Sequence, residues 1–303
     1  MSTSLWQRWR AELAIATVAF IWGATFVVVK SALNDASTLV FVALRFSLAT
    51  ILLLGMFRLR GGSLDGFSQY WRGGLLCGFF LFLGYGLQTA GLRTTAASKS
   101  AFLTGLFVVL VPLLSAAVKR RAPRLIECAG AIVAMGGTAL LTLEPAAGFR
   151  LSSGDLLTIG CALAFSAHMV AVEKFTSARG HQSLTLWQVL SVAGFSLAGC
   201  WWIEPPRLVM TARLASALLI TALLATAVSF ALYTWAQTRT SATRASLIFT
   251  LEPVFAALTA WVWSYEAWSL RTLTGGALIL GAILVVEMKP SFLQTHPQNQ
   301  MDA

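Results

Sequence analysis

LIECAGAIVAMGGTALLTL (residues 125–143) and RTLTGGALILGAILVVEM (residues 271–288) are apolar segments that correspond across the chain, with few identical positions. A shift of 145 residues brings Gly130 onto Gly275 and Gly136 onto Gly281. Extended along the chain, that shift places Phe20 on Phe165, Leu39 on Leu184, Leu87 on Leu232 and Thr89 on Thr234. It also places Lys99 on Arg244, keeping a cation at that point. Each half carries five apolar stretches, and five is odd. Two like-folded units with an odd number of membrane crossings must face opposite ways, as in an inverted repeat whose solute site lies at the junction.

Composition requires a membrane. The chain of 303 residues is 57% hydrophobic and only 11% charged, with a mean hydropathy of +0.75. A soluble domain is about one quarter charged, and a single water-soluble core could not hide so much apolar surface. Lipid can. The expected spans are 11–30, 38–57, 72–91, 97–118, 125–143, 155–175, 184–203, 214–236, 243–264 and 271–288, each long enough to cross about 30 Å of hydrocarbon as a helix. No alternating strand pattern suggests a barrel. The expected fold is thus an all-α polytopic membrane protein. Its ten helices form a five-plus-five inverted repeat around a central cavity, with units at 1–146 and 147–290 and a polar tail at 291–303.

Turn residues mark short connections at Asn34-Asp35, Gly61-Gly62, Glu144-Pro145 and Pro205-Pro206. With a cytoplasmic amino terminus, 14 of the 22 Lys and Arg residues fall on the inner side and 7 on the outer, leaving Arg45 in the bilayer. That bias puts both termini inside. The bias also inverts between halves: the basic turn Lys119-Arg120-Arg121 falls against the turn that contains Tyr265-Glu266-Ala267. Membrane topology accounts for the net charge of +10 without nucleic acid, and anionic lipid headgroups are the expected neighbours. Trp6, Trp9, Trp71, Trp201, Trp202, Trp261, Trp263 and Trp268 fall near span ends, as an interfacial belt should, whereas Trp22 is mid-span. Cys77, Cys128, Cys161 and Cys200 lack metal spacing and read as packing residues, and no metal or cofactor is expected. The first span has a basic start but reads as an uncleaved anchor.

Small residues mark close helix contacts in lipid, so Gly74 and Gly78, Gly130, Gly136 and Gly137, and Gly275, Gly276 and Gly281 are expected at packing faces. Polar groups in mid-span carry more chemistry, because a charge there costs about 2.5–3.5 kcal/mol on insertion scales. Glu252 precedes Pro253, which should kink the ninth span and free a carbonyl near Leu251 or earlier. A carboxylate there could bind a cation, take a proton or hold an amine, or could brace the fold. Arg45 could pair with Glu252, face an anionic solute group, or reach the interface along its stem. His168 reads as a core histidine or a proton relay. Lys99 and Arg244 open the fourth and ninth spans behind Ser/Thr runs able to cap each helix. Each cation could hold an anion at a gate or simply snorkel. Tyr85 and Gln88, with Tyr233, Trp235 and Gln237 at related places, could line a cavity with Trp22.

These residues also carry a resemblance. Trp22-Gly23-Ala24-Thr25-Phe26 followed by Lys30, Ala43-Leu44-Arg45-Phe46, Pro112, and Leu251-Glu252-Pro253-Val254-Phe255 resemble, in order and spacing, the EamA-like permeases of the drug/metabolite transporter superfamily over residues 11–288. The resemblance implies a cavity lined chiefly by spans one, three, four, six, eight and nine. It also implies transport of amino acids, related metabolites or drugs, often outward. One departure concerns symmetry. Pro112 follows Lys99 by 13 residues and Pro253 follows Arg244 by 9, so the two helix breaks should differ by about one turn.

The expectation is a secondary carrier, not an enzyme, exporting a small polar solute such as an amino acid by alternating access. Protons are possible coupling ions, and the state is monomer or homodimer. No nucleotide-binding loop is present. The competing readings are a sugar-phosphate or nucleotide-sugar antiporter, a multidrug exporter, a lipid scramblase or a membrane-embedded enzyme. The expected solute residues are Trp22, Tyr85, Gln88, Lys99, His168, Tyr233 and Glu252, with Arg45, Pro112, Arg244 and Pro253 bracing or gating.

Overall fold

A backbone in lipid has no water to bond, and every regular element among the described residues is helical. The computed structural model describes residues 5–59, 67–143, 151–255, 258 and 269–287. The helices are α1 (Leu5–Ala32), α2 (Thr38–Leu59), α3 (Trp71–Gly91), α4 (Ala97–Thr104), α5 (Phe107–Lys119), α6 (Leu125–Thr142), α7 (Ser153–Phe175), α8 (His181–Gly199), α9 (Ala212–Ala222), α10 (Ser229–Gln237), α11 (Ala242–Phe249) and α12 (Leu270–Glu287). A 3₁₀ turn at Phe67–Tyr70 leads into α3, and a π turn at Leu223–Val228 joins α9 to α10. Among the described residues, seven helical stretches are long and apolar enough to cross a membrane, and Leu270–Val286 is a shorter apolar helix. The turns Gly61-Gly62, Glu144-Pro145 and Tyr265-Glu266-Ala267, the tryptophans at 261, 263 and 268, and the tail lie outside the described residues.

Four expected spans are reshaped, the fourth, seventh, eighth and ninth. The seventh begins earlier, at His181. The eighth is not a plain α-helix but carries the π turn. The fourth breaks between Thr104 and Phe107, and not at Pro112, which sits inside a continuous α5. A proline removes one donor and can stay within a packed helix. The break at Thr104 instead shortens the bonding: Leu106 N–H reaches the Leu103 carbonyl (3.3 Å) and Val108 N–H the Gly105 carbonyl (3.0 Å). α11 ends at Phe249 with Thr250 N–H turned back to Leu247 (3.1 Å). Positions 105 and 250 differ by the repeat shift, so the breaks coincide and do not differ by a turn.

Helix neighbours come in mates. α3 packs on α7 and α8; α10 packs on α1, and the π turn with α9 packs on α2. α5 packs on α7 as α11 packs on α1, while α2 meets α8, α5 meets α11 and α6 meets α12 across the junction. Close approach explains the glycines. A Cβ on Gly137 would lie 2.6 Å from the Gly275 carbonyl oxygen, and one on Gly275 would lie 2.8 Å from that of Gly137. Gly130 meets Val286, and Gly74 and Gly78 meet Trp187 and Ser191 on α8. Gly136, Gly276 and Gly281 have nothing within 4 Å, so they are not packing glycines. They fall on the outer side of their helices.

The ends of α2 and α8 are tied differently on the two sides. On one, Asp35 accepts from Arg213 Nη2 (2.6 Å) and Nε (2.9 Å) and from Thr211 (2.7 Å), beside an isolated antiparallel bridge between Ala36 and Leu208. The Arg213 guanidinium, and then the Thr211 hydroxyl, hold the Asp35 carboxyl below the usual carboxylate range. On the other, Phe67 stacks on Trp187 (4.6 Å), and the Tyr70 and Ser177 hydroxyls are 2.9 Å apart. Trp6, Trp9, Trp71, Trp201 and Trp202 are exposed near helix ends, while Cys77, Cys161 and Cys200 are buried and unbridged.

Candidate functional site

The π turn is built by hydroxyls. Thr226 Oγ1 donates to the Thr221 carbonyl and Ser229 Oγ to that of Leu224, each five residues back and at 2.8 Å. Ser229 N–H also bonds Leu224. A π turn loosens the regular ladder and opens a gap in it. Two side chains from the other half fill the gap: Trp22 Nε1 (2.9 Å) and Arg45 Nη2 (3.3 Å) both donate to Ala225. Arg45 Nε donates to Thr226 Oγ1 (2.8 Å) and Nη2 reaches the Tyr85 hydroxyl (3.5 Å). Its guanidinium lies 4.7 Å from the Tyr85 ring centre and is only 3% exposed. A buried cation must be solvated by the protein. Here dipoles and a π face do so, with no carboxylate partner among the described residues.

Arg45 opens onto a cavity of about 60 Å³. Its aromatic wall is Trp22, Phe26, Tyr85, Phe107, Phe165, Phe230, Tyr233 and Phe249, drawn from α1, α3, α5, α7, α10 and α11. Trp22 stacks on Phe249 at 4.9 Å. Glu252 also lines this cavity and has no hydrogen bond or ion pair among the described residues. The pairing of Arg45 with Glu252 is therefore not made. His168 reaches the cavity by its ring, while its Nε2–H donates to Gln188 Oε1 (2.7 Å), whose amide donates on to Thr234 (3.1 Å). Gln88 lines the cavity and donates to Thr104 Oγ1 (3.2 Å). Tyr233 accepts from Gln237 at 2.9 Å.

Other expected residues lie elsewhere. Lys99 is not in the cavity wall; its Nζ is 2.7 Å from Asp155, which with Ser152 forms the capping box of α7. Arg244 Nη1 is 3.7 Å from Glu12. Arg244 and Pro112 line a separate vestibule of about 580 Å³ that also holds Lys119, Arg121, Arg124 and Arg239. Pro253 lines a small chamber behind Glu252. Ser241 caps α11 as expected, whereas Ala96 precedes α4 with no side-chain cap.

A family model for the EamA-like transporter family matches residues 9–143 and again 152–288. The chain belongs to the EamA-like transporter family. The match is one copy per half, so the chain is a duplicated, multi-pass membrane transporter. An "Uncharacterized transporter" of Archaeoglobus fulgidus is 33% identical over 285 residues, covering 93% of this chain and 87% of that protein. "Uncharacterized transporter YoaV" of Bacillus subtilis is 22% identical, covering 91% and 96% of the two chains. A solved structure titled "Crystal structure of protein" superposes with a TM-score of 0.77 at 21% identity, over 94% of this chain and 99% of that one, which speaks to fold alone.

Sequence reasoning missed Ala225 and Thr226, Gln188 and Asp155. Asp155 carried a readable signal, Ser152 three residues before an acid at a helix start. Nothing local distinguishes Gln188 from a packing glutamine, because its role depends on α7 and α10 facing it.

Proposed function

We propose that this EamA-family transporter is a ten-span secondary carrier in a bacterial inner membrane, with both termini cytoplasmic, exporting a small polar organic solute such as an amino acid by alternating access. One observation carries the reading: Arg45 and Glu252 line one aromatic cavity and make no ion pair with each other. A cation solvated by dipoles and an unpartnered acid, both left facing a hollow, match the two charges of a zwitterion. Each charge costs energy in lipid unless it serves a purpose. The mated helix contacts and the coincident breaks support two like units about one axis, and five crossings per unit would invert them. About 60 Å³ admits only about four to six waters, so the solute enters when helices separate. The breaks in the fourth and ninth spans are the natural hinges. Arg45 is the sole cation of the described wall, which favours a zwitterion over a sugar phosphate.

The test is a panel of amino acids and metabolites on purified protein in liposomes, with and without a pH gradient. Saturable counterflow of one soluble class supports the carrier and excludes a scramblase. Glu252→Gln should lower flux and alter its pH profile. A variant with full flux and an unchanged profile would refute the role given to Glu252.

A further inference from the structure

The two interrupted helices stop at repeat mates, Thr104 and Phe249. Val108 N–H closes on Gly105, so the Thr104 carbonyl is passed over. Four residues after Phe249 stands Pro253, which brings no N–H to the Phe249 carbonyl. Each of these carbonyls sits at the negative end of a helix. The breaks adjoin: the Phe107 and Phe249 rings are 6.2 Å apart, and Gly105 and Thr250 share a chamber of about 20 Å³. Glu252 lines that chamber and the aromatic cavity alike, and its repeat mate Phe107 does the same. The unpartnered Glu252 carboxylate and the C-terminus of α11 thus meet at that chamber, whose described lining holds no cation, while Thr104 lines the adjoining aromatic cavity with Arg45.

We infer that the paired helix breaks form a site for one monovalent cation at this small chamber, held by the Glu252 carboxylate and the Phe249 carbonyl oxygen. A single carboxylate balances a single positive charge, and an all-oxygen set suits a hard ion such as Na⁺ rather than a thiophilic metal. A chamber of about 20 Å³ has room for one such ion, since one water needs about 10–15 Å³. The ammonium head of a solute offers the same charge and would use the same oxygens. Unwound carbonyls and helix C-termini hold coupling cations in carriers generally. The use of the site rests on the transport reading, but its test does not.

The experiment needs no solute. Purified protein in micelles is titrated with NaCl in one arm and methylammonium chloride in another, against N-methylglucamine chloride at fixed ionic strength. Trp22, stacked on Phe249, reports the site by fluorescence, and unfolding temperature is the second readout. Wild type should respond saturably in at least one arm, and Glu252→Gln should weaken the affinity at least about tenfold. Pro253→Ala, which returns an N–H to the Phe249 carbonyl, should also weaken it and serves if Glu252→Gln fails to fold. Trp22→Phe should lose the fluorescence signal and keep the thermal one. Saturation by Na⁺ assigns an inorganic ion, and saturation by methylammonium alone assigns a solute amine. A wild type silent in both arms, or a response unchanged in the folded variants, overturns the site while leaving solute flux to be judged by itself.

Discussion

Removing both donors to the Ala225 carbonyl should cost more than the sum of removing each. Trp22 Nε1 and Arg45 Nη2 share that acceptor at 2.9 and 3.3 Å. Trp22→Phe keeps the stacking and loses one hydrogen bond, worth about 0.5–1.5 kcal/mol. Arg45→Met loses charged hydrogen bonds but also removes a costly buried charge, so its net effect stays within about 2 kcal/mol. Thr226 keeps its bond to Thr221 in that variant. Either single change leaves Ala225 one of its two side-chain donors. The double variant removes both, and a buried carbonyl stripped of its donors costs about 1–3 kcal/mol. Couplings measured within membranes average about 0.6 and reach about 1.7 kcal/mol, so the expected coupling is about 1 kcal/mol, unfavourable. Equilibrium unfolding of the four proteins in mixed micelles measures it. Additivity within about 0.5 kcal/mol would refute the shared-acceptor account.

Gly137→Val should destabilise the α6–α12 pair by about 1–3 kcal/mol, because its Cβ would meet the Gly275 carbonyl oxygen at 2.6 Å and the Ile279 nitrogen at 3.1 Å, both backbone atoms. Gly136→Val in the same unfolding assay should change stability by no more than about 0.5 kcal/mol, since nothing lies within 4 Å of that position. Asp35 is held below its ordinary range by Arg213 and Thr211. Its contribution is therefore present above the ordinary carboxylate value of about 3.9 and fades as pH falls through the lowered one. The stability gap between wild type and Arg213→Ala should accordingly narrow below about pH 4 in thermal unfolding.

Much of the fold was legible because lipid simplifies the problem: length and hydropathy define spans, and Gly130 and Gly275 mark the seam that pairs the last helices of each half. The site was only partly legible. Trp22, Tyr85, Gln88, His168, Tyr233 and Glu252 meet at one cavity, since polar or amphipathic groups in mid-span have few other places to go. Lys99 did not join them because Asp155, at a helix start, offers a nearer partner. The break in the fourth span was misplaced by trusting Pro112. Proline is the visible helix breaker, but Gly105 and Thr250 occupy the mated positions where bonding shortens. The π turn left little local trace beyond Thr226 and Ser229 reaching five residues back. The partners it meets, Arg45 and Trp22, lie 180 and 203 residues away from Ala225.

Opposed orientation of the two halves is most directly tested by labelling. In a background lacking Cys77, Cys128, Cys161 and Cys200, single cysteines replace Arg121, after α5, and Ser269, before α12. An impermeant maleimide is then applied to intact cells and to inside-out vesicles. These positions lie in mated turns, so labelling should occur at 121 only from the cytoplasmic side and at 269 only from the outside. Labelling of both from the same side would contradict the inverted pair.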